Sequence, residues 1–258
     1  MRVTVCELPH EPEALAAAWS GLCEHTWRNE SELVLLPELA MVEPFWEEAT
    51  FAPERWARAE AVSEGWLTLL RELRATHVVG TRPVTIEGQR FNQGYLASGM
   101  HGIVPLRRKY FLPAEPGGWE AHWFQPGDSD FPAFRAGDLS FGLNICTELW
   151  AVERYVGYAA GEVQVILSPR ATASATTAKW LSAGVVAAVR SGAFSVSSNR
   201  VDPTGTCGGV GWVIGPDGDI LATTSASTPF VTVDIDLALS AAARSSYPRN
   251  VFGSLLHP

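Results

Sequence analysis

The chain has 258 residues, of which 47% are hydrophobic and 18% charged, and this composition excludes a disordered protein because it offers enough apolar surface for a core. The 28 acidic and 19 basic residues give a formal net charge of -9, which disfavours nucleic acid as a partner. No uncharged stretch reaches the roughly 18 apolar residues that cross a bilayer. Since the first residues predict a strand rather than a secretion leader, we expect a cytoplasmic protein without a membrane segment.

The first part of the chain alternates between strand and helix patterns. Residues 2–6 predict a strand, 12–27 a helix, 33–36 a short strand buried on both faces, 53–75 a second helix and 77–81 a third strand. Between residues 84 and 106 the pattern predicts two strands joined around residues 98–101.

A long loop is predicted over residues 109–128, which are rich in proline and glycine. Long loops in compact domains are often functional. Strands then follow at 139–145, 163–167 and 194–198, with helices at 150–160 and 177–191, and the last strands are predicted at 210–214, 220–222 and 230–234. We expect one domain over residues 1–258, with residues 240–258 as a docking tail, in a layered α/β sandwich.

Ligands of such sheets bind beyond the carboxyl ends of the strands, and three reactive residue types occupy such positions. Glu38, Lys109 and Cys146 each follow a predicted strand. Taken alone, the cysteine is typical of a buried small hydrophobe, and the other two are typical of solvated loops. Together they form a possible chemical set, because a thiol needs a base or a cation to supply thiolate, and a lysine with a backbone N–H stabilises an oxyanion.

Short motifs around these residues resemble those of the nitrilase superfamily of carbon-nitrogen hydrolases. The matching stretches are LLPE at residues 35–38, RK at 108–109, NICTELWAVE at 144–153, SNR at 198–200 and PDG at 216–218. The resemblance implies a four-layer α-β-β-α sandwich with a Glu-Lys-Cys triad. It also implies no metal and no organic cofactor.

The resemblance assigns a role to each residue of this set. Glu38 is the base, Cys146 the nucleophile, and Lys109 holds the oxyanion with the Thr147 backbone N–H. A second carboxylate that supports the lysine is expected at Glu120, because an aromatic pair and Pro-Gly-Asp follow it, as in the carbamoylputrescine-amidase-like branch. Its competitor is Glu115, which is nearer to Lys109 in the chain.

Two further residues bear on the substrate. Trp150 follows the nucleophile and is expected to contact an aliphatic or aromatic part of the substrate. Arg170 follows the predicted strand 163–167 and is a candidate for binding a substrate carboxylate through two hydrogen bonds. The alternative for Arg170 is an ion pair with a surface acid.

The resulting function is hydrolysis of a non-peptide C–N bond in a small amide or carbamoyl compound through a cysteine thioester. The alternatives are a nitrilase that acts on a C≡N bond with the same residues, and a non-catalytic member that binds a protein partner. Relatives commonly dimerise, and helices 150–160 and 177–191 are the expected interface of a homodimer or higher homo-oligomer. Of the remaining cysteines, only Cys207 is expected to be exposed.

Overall fold

The computed structural model describes residues 1–99 and 102–251. The strands in these residues are β1 (Arg2–Leu8), β2 (Leu33–Leu35), β3 (His77–Ile86), β4 (Gln89–Ser98), β5 (Gly102–Arg108), β6 (Phe134–Ala136), β7 (Leu139–Leu143), β8 (Val165–Arg170), β9 (Phe194–Arg200), β10 (Trp212–Ile214), β11 (Ile220–Thr223) and β12 (Phe230–Asp234). The α-helices are α1 (Pro12–Arg28), α2 (Pro53–Leu67), α3 (Glu120–Trp123), α4 (Arg154–Ala160), α5 (Thr177–Ser191) and α6 (Ala238–Arg244).

The strands form two halves with the same arrangement. In the first half β1, β2 and β3 are parallel, and β4, β5 and β12 extend it as antiparallel strands. In the second half β7, β8 and β9 are parallel, and β6, β10 and β11 are antiparallel. The halves meet where β1 and β9 pair, with Glu7 opposite Asn199.

Side chains that alternate along the strands build the layers. In β1, Val3 and Val5 are fully buried in the core between the two halves, whereas Cys6 packs with Leu15 and Trp19 of α1 on the outer face. Helix α1 therefore covers the outer face of the first half.

The second half repeats this alternation. Val165 and Leu167 of β8 belong to the central core, and Ile166 between them packs with Tyr158 of α4 and Ala187 of α5. The predicted α-β-β-α sandwich is confirmed, and apolar burial on three interfaces between layers stabilises it.

The strands around residue 87 differ from the prediction. A hairpin joins β3 to β4 at Glu87 and Gly88, both of which have positive φ, at 50° and 77°. The third strand therefore continues to Ile86 rather than ending at residue 81. The predicted pairing of two strands across residues 98–101 is confirmed for β4 and β5, but Met100 and His101 lie outside the described residues.

Helix ends also differ from their predictions. The helix predicted over 53–75 ends at Leu67, and a 3-10 turn, Leu70–Leu73, follows it. The helix predicted over 150–160 begins at Arg154, because residues 146–150 form a 3-10 helix instead. The helix over 177–191 is confirmed.

The chain after β12 packs on the second half of the sandwich. Arg249 donates from Nε to the Ala243 carbonyl at 2.7 Å and from Nη1 to the Pro216 carbonyl at 3.3 Å. Residues 252–258 of the predicted tail lie outside the described residues. Among the helices of the described ranges, none is both long and apolar enough to span a membrane.

Candidate active site

Four buried polar residues meet at the carboxyl ends of strands. Glu38 lies three residues after β2, Lys109 directly after β5 and Cys146 three residues after β7. Glu120 is the first residue of α3, inside the predicted loop. All four are at most 6% exposed, although three of them carry groups that ordinarily ionise.

The Lys109 ammonium joins the two carboxylates. Its Nζ donates to Glu38 Oε1 at 2.8 Å and to the two oxygens of Glu120 at 2.8 and 2.7 Å. Glu115 is exposed and lies in a turn with Gly118. The structure therefore places Glu120, rather than its competitor, against the lysine.

Asn92 of β4 binds both Glu38 and Lys109, and this role was not predicted from the sequence. Its side-chain Nδ2 donates to Glu38 Oε1 at 2.9 Å, and its backbone carbonyl accepts the Lys109 backbone N–H at 2.8 Å. The only signal was a polar residue within a predicted strand. Its partners are 54 and 17 residues away, so the sequence did not indicate them.

The segment after Glu38 is fixed by a buried arginine at the end of β9. Arg200 donates to the carbonyls of Leu39 and Val42 at 2.7 and 2.8 Å. The Glu38 backbone N–H donates to the Arg170 carbonyl at 3.2 Å. Hydrogen bonds between the main chain of residues 38–42 and two residues of the second half thus set the position of Glu38 in the first half.

Cys146 has a left-handed backbone conformation, with φ at 50°. Such a conformation in a non-glycine residue costs free energy and persists only where the surroundings impose it. Here Asn144 supports the turn: its Nδ2 donates to the Glu148 carbonyl at 3.0 Å, and its Oδ1 accepts the Tyr158 hydroxyl at 2.7 Å.

The electrostatics of the site favour a protonated thiol at rest. Burial raises the pKa of the Cys146 thiol well above its ordinary value, and the Glu38 charge raises it further. Lys109 and a hydrogen bond from the Ala171 backbone act in the opposite direction but do not compensate. A base is therefore needed to form thiolate.

The lysine keeps its proton while one carboxyl titrates near neutral pH. Burial alone would lower the pKa of Lys109, but Glu120 and Glu38 outweigh it and hold the pKa above its ordinary value. Burial raises the pKa of Glu120 to about 7, although Lys109 opposes the shift. The Lys109 ammonium therefore does not offset the desolvation of the Glu120 carboxyl.

The residues after Glu120 hold the loop against the lysine. Gly127 donates its N–H to the Lys109 carbonyl at 2.8 Å, and a Cβ on Gly127 would lie 2.3 Å from the Arg108 carbonyl oxygen. Only glycine fits this close approach. Trp123 and Phe124 are buried in an aromatic cluster with Phe45, which anchors α3.

The structure places the Arg170 side chain inside the protein, and its contact with a substrate carboxylate stays a prediction. Its guanidinium is fully buried and donates to Ser197 Oγ and Thr172 Oγ1, both at 2.7 Å, and to the Val210 carbonyl at 2.5 Å. It also lies over the Trp212 ring at 4.0 Å. The strand predicted to end at residue 167 continues to Arg170, which pairs with Asn199 of β9.

Thr147 and Trp150 follow the nucleophile within its 3-10 helix, Cys146–Trp150. Trp150 is 46% exposed, and its ring lies 5.3 Å from the ring of Trp180. An oxyanion role for the Thr147 N–H and a substrate contact for Trp150 stay predictions.

The other cysteines differ from the prediction in their exposure. Cys207 is 5% exposed, which contradicts its expected exposure, and Cys23 is half-buried instead. Cys207 lies in the interior because its loop folds back on Asp202, which accepts the Cys207 backbone N–H. Burial raises the pKa of Cys6 and of Cys207 to about 12.

Within residues 1–99 and 102–251, no three His, Cys, Asp or Glu side chains form a group that could hold a metal ion. The site consists of a buried thiol, an ammonium and two carboxylates that bind this ammonium. Groups of these types, held together, are suited to nucleophilic substitution at an acyl carbon.

Comparisons with known proteins agree with this class. The family model of carbon-nitrogen hydrolases matches residues 2–245. The fold is similar to that of a carbon-nitrogen hydrolase from Helicobacter pylori G27, with a TM-score of 0.85 and 20% identity over 99% of this chain and 98% of that one. No match to a curated protein sequence was found.

Two other solved structures have the same fold. One is an amidase from Nesterenkonia sp. AN1 with acrylamide added to its active-site cysteine, with a TM-score of 0.74 and 20% identity over 97% of this chain and 99% of that one. The other is a CN-hydrolase superfamily protein from Xanthomonas campestris with an arsenic adduct in its active site. Its TM-score is 0.78, with 19% identity over 98% of this chain and 97% of that one. The chain belongs to the carbon-nitrogen hydrolase family.

Proposed function

We propose that the protein hydrolyses the C–N bond of a small amide or carbamoyl compound through a thioester on Cys146. The observation that carries this proposal is the buried contact of Lys109 Nζ with Glu38 and Glu120 in a site whose charges act on the thiol of Cys146. The similar amidase from Nesterenkonia has an active-site cysteine that accepts the acetamide moiety of fluoroacetamide, which supports a cysteine nucleophile here.

In this mechanism Glu38 takes the proton of Cys146 as the sulfur attacks the carbonyl carbon. The C–S bond forms, and the carbonyl electron pair moves to oxygen, where Lys109 and the Thr147 N–H stabilise the charge. The C–N bond then breaks, and the amine leaves with the proton from Glu38. Water attacks the thioester, gives a proton to Glu38 and releases the acid, after which the proton returns to sulfur.

Glu120 orients Lys109 in this scheme, since both of its oxygens accept hydrogen bonds from the ammonium. With Arg170 satisfied inside the protein, the substrate is better described by its apolar part, for which Trp150 is the proposed contact. A cytoplasmic location stays a prediction from the sequence.

The test is a screen of small amides, carbamoyl compounds and nitriles for ammonia release, with Cys146→Ala as the control. Release from amides or carbamoyl compounds supports the proposal. Release from nitriles alone would assign a nitrilase. No release from any compound, while Cys146 still reacts with iodoacetamide, would favour a non-catalytic member of the family.

We also propose a homodimer formed through α4 and α5. Val152 before α4 and Val186 on α5 are 48% and 46% exposed, and exposed apolar side chains on adjacent helices are typical of an interface. Light scattering at micromolar concentration is expected to give the mass of a dimer. Val186→Glu should shift the mass toward the monomer, whereas Val62→Glu on α2, a valine of similar exposure at 39%, should not; a monomeric parent protein would contradict the proposal.

A further inference from the structure

A buried ion pair lies beside the catalytic cluster and has no part in the proposed proton transfers. Arg107 lies two residues before Lys109, and Glu148 lies two residues after Cys146. The side chains are 3% and 0% exposed. Arg107 Nη2 donates to Glu148 Oε1 at 2.9 Å, and Nη1 donates to Oε2, so the contact is bidentate.

The Glu148 carboxylate also binds two backbone N–H groups that adjoin catalytic residues. Its Oε1 accepts the N–H of Tyr110, the residue after Lys109, at 2.8 Å. Its Oε2 accepts the N–H of Ile145, the residue before Cys146, at 2.9 Å. One side chain therefore binds the main chain next to the ammonium and the main chain next to the sulfur.

These two stretches of main chain belong to different halves of the sandwich. Lys109 follows β5 in the first half, and Cys146 follows β7 in the second. The strained φ of Cys146 needs its neighbours to be held. We propose that Arg107 and Glu148 are positioning residues that set where the Lys109 ammonium lies relative to the Cys146 sulfur.

This inference rests on the proposed function and predicts a specific pattern for Glu148→Gln. The amide keeps the shape of the side chain but has one acceptor oxygen for the four N–H donors. We expect kcat to fall by about 100-fold, the loss that a displacement near 1 Å causes, with KM changed by less than about threefold because the substrate contacts are elsewhere.

A second readout separates positioning from simple loss of charge. Removal of a negative charge near Cys146 should move the pH midpoint of its alkylation by iodoacetamide downward. Displacement of Lys109, which lowers the pKa of Cys146, should move that midpoint upward. The proposal predicts an upward shift of the midpoint. A downward shift or no shift, together with a kcat within threefold of the parent, would overturn it.

The matched control is Arg249→Gln. Arg249 is 3% exposed, and its guanidinium also bonds to a carboxylate, that of Asp217, and to backbone carbonyls. This variant should lower the melting temperature, as Glu148→Gln should, because it removes buried hydrogen bonds. It should leave kcat within about twofold of the parent and the pH midpoint of alkylation unchanged, since a fold-only effect acts on stability. Equal losses in both variants would assign Glu148 a structural role only.

Should Glu148→Gln fail to fold, Arg107→Lys tests the same idea, because it keeps the charge and loses the second hydrogen bond. A fall in kcat of about tenfold with an upward alkylation shift supports positioning, and parental values would overturn it. The alkylation measurement needs no amide substrate. A failure of the proposed function would appear in the parent protein, whereas a failure of the positioning role would appear only in these variants.

Discussion

Cys146→Ala is expected to leave the protein folded and to abolish amide turnover. The side chain is 4% exposed, and alanine fits its space, so stability should change little. Loss of the nucleophile removes the covalent route and should lower kcat by about 10⁴-fold or more, as in other enzymes that lose a nucleophile. The measurement is ammonia release at saturating substrate, with circular dichroism to verify folding.

Cys23→Ala is the matched control for this change. Cys23 is the half-buried cysteine of α1, and its removal should leave kcat unchanged. Activity of Cys146→Ala within about tenfold of the parent would overturn the proposed mechanism.

Glu120→Gln is expected to lower kcat by about 10²- to 10³-fold, whereas Glu115→Gln should have little effect. Glu120 places both carboxylate oxygens on Lys109 Nζ, so its loss weakens the placement of the oxyanion donor. Glu115 is exposed and makes a matched control. Equal losses in the two variants would contradict the assignment.

The pH dependence gives an independent check on Glu120. Protonation of this carboxyl removes the charge that holds Lys109, so kcat/KM of the parent should fall as the pH decreases through about 7, the value to which burial raises the pKa of Glu120. Glutamine does not titrate, so Glu120→Gln should lack this acidic limb. The measurement is kcat/KM between pH 5 and 8, the range over which such a group changes charge.

The sequence predicted the cluster because three of its members follow strands and all four lie in short motifs. Glu38 and Cys146 follow buried strands of parallel units, whose carboxyl ends meet at one edge. Glu120 was distinguished from Glu115 by its flanking residues, and Gly127 shows the physical reason, since it packs against the backbone beside Lys109.

Contacts between residues far apart in the chain escaped prediction. Asn92 with Glu38, and Arg107 with Glu148, are separated by 54 and 41 residues, and neither hydrophobic pattern nor motif spacing reports such pairs. The end of the strand at Arg170 was mispredicted for a related reason. Pairing with β9 extends this strand to Arg170, whereas the predicted strand ended at residue 167.

The turn between β3 and β4 was not predicted, because its residues are not those that usually mark a hairpin turn. Its turn uses Glu87-Gly88 with positive φ at both residues, a conformation that Asn-Gly and Asp-Gly usually mark. Glutamate is rare at such a position. The ten residue pairs between the two strands stabilise this turn, although its own residues do not favour the conformation.

The central claim is that catalysis proceeds through an acyl group on Cys146. Rapid acid quenching of the protein with its amide substrate, followed by mass spectrometry of the intact chain and of its peptides, tests this directly. The account predicts a mass increase equal to one acyl group, confined to the peptide that contains Cys146 and absent from Cys146→Ala. An acyl group on Cys6, Cys23 or Cys207, or ammonia release in a single turnover without any acylated Cys146, would contradict it.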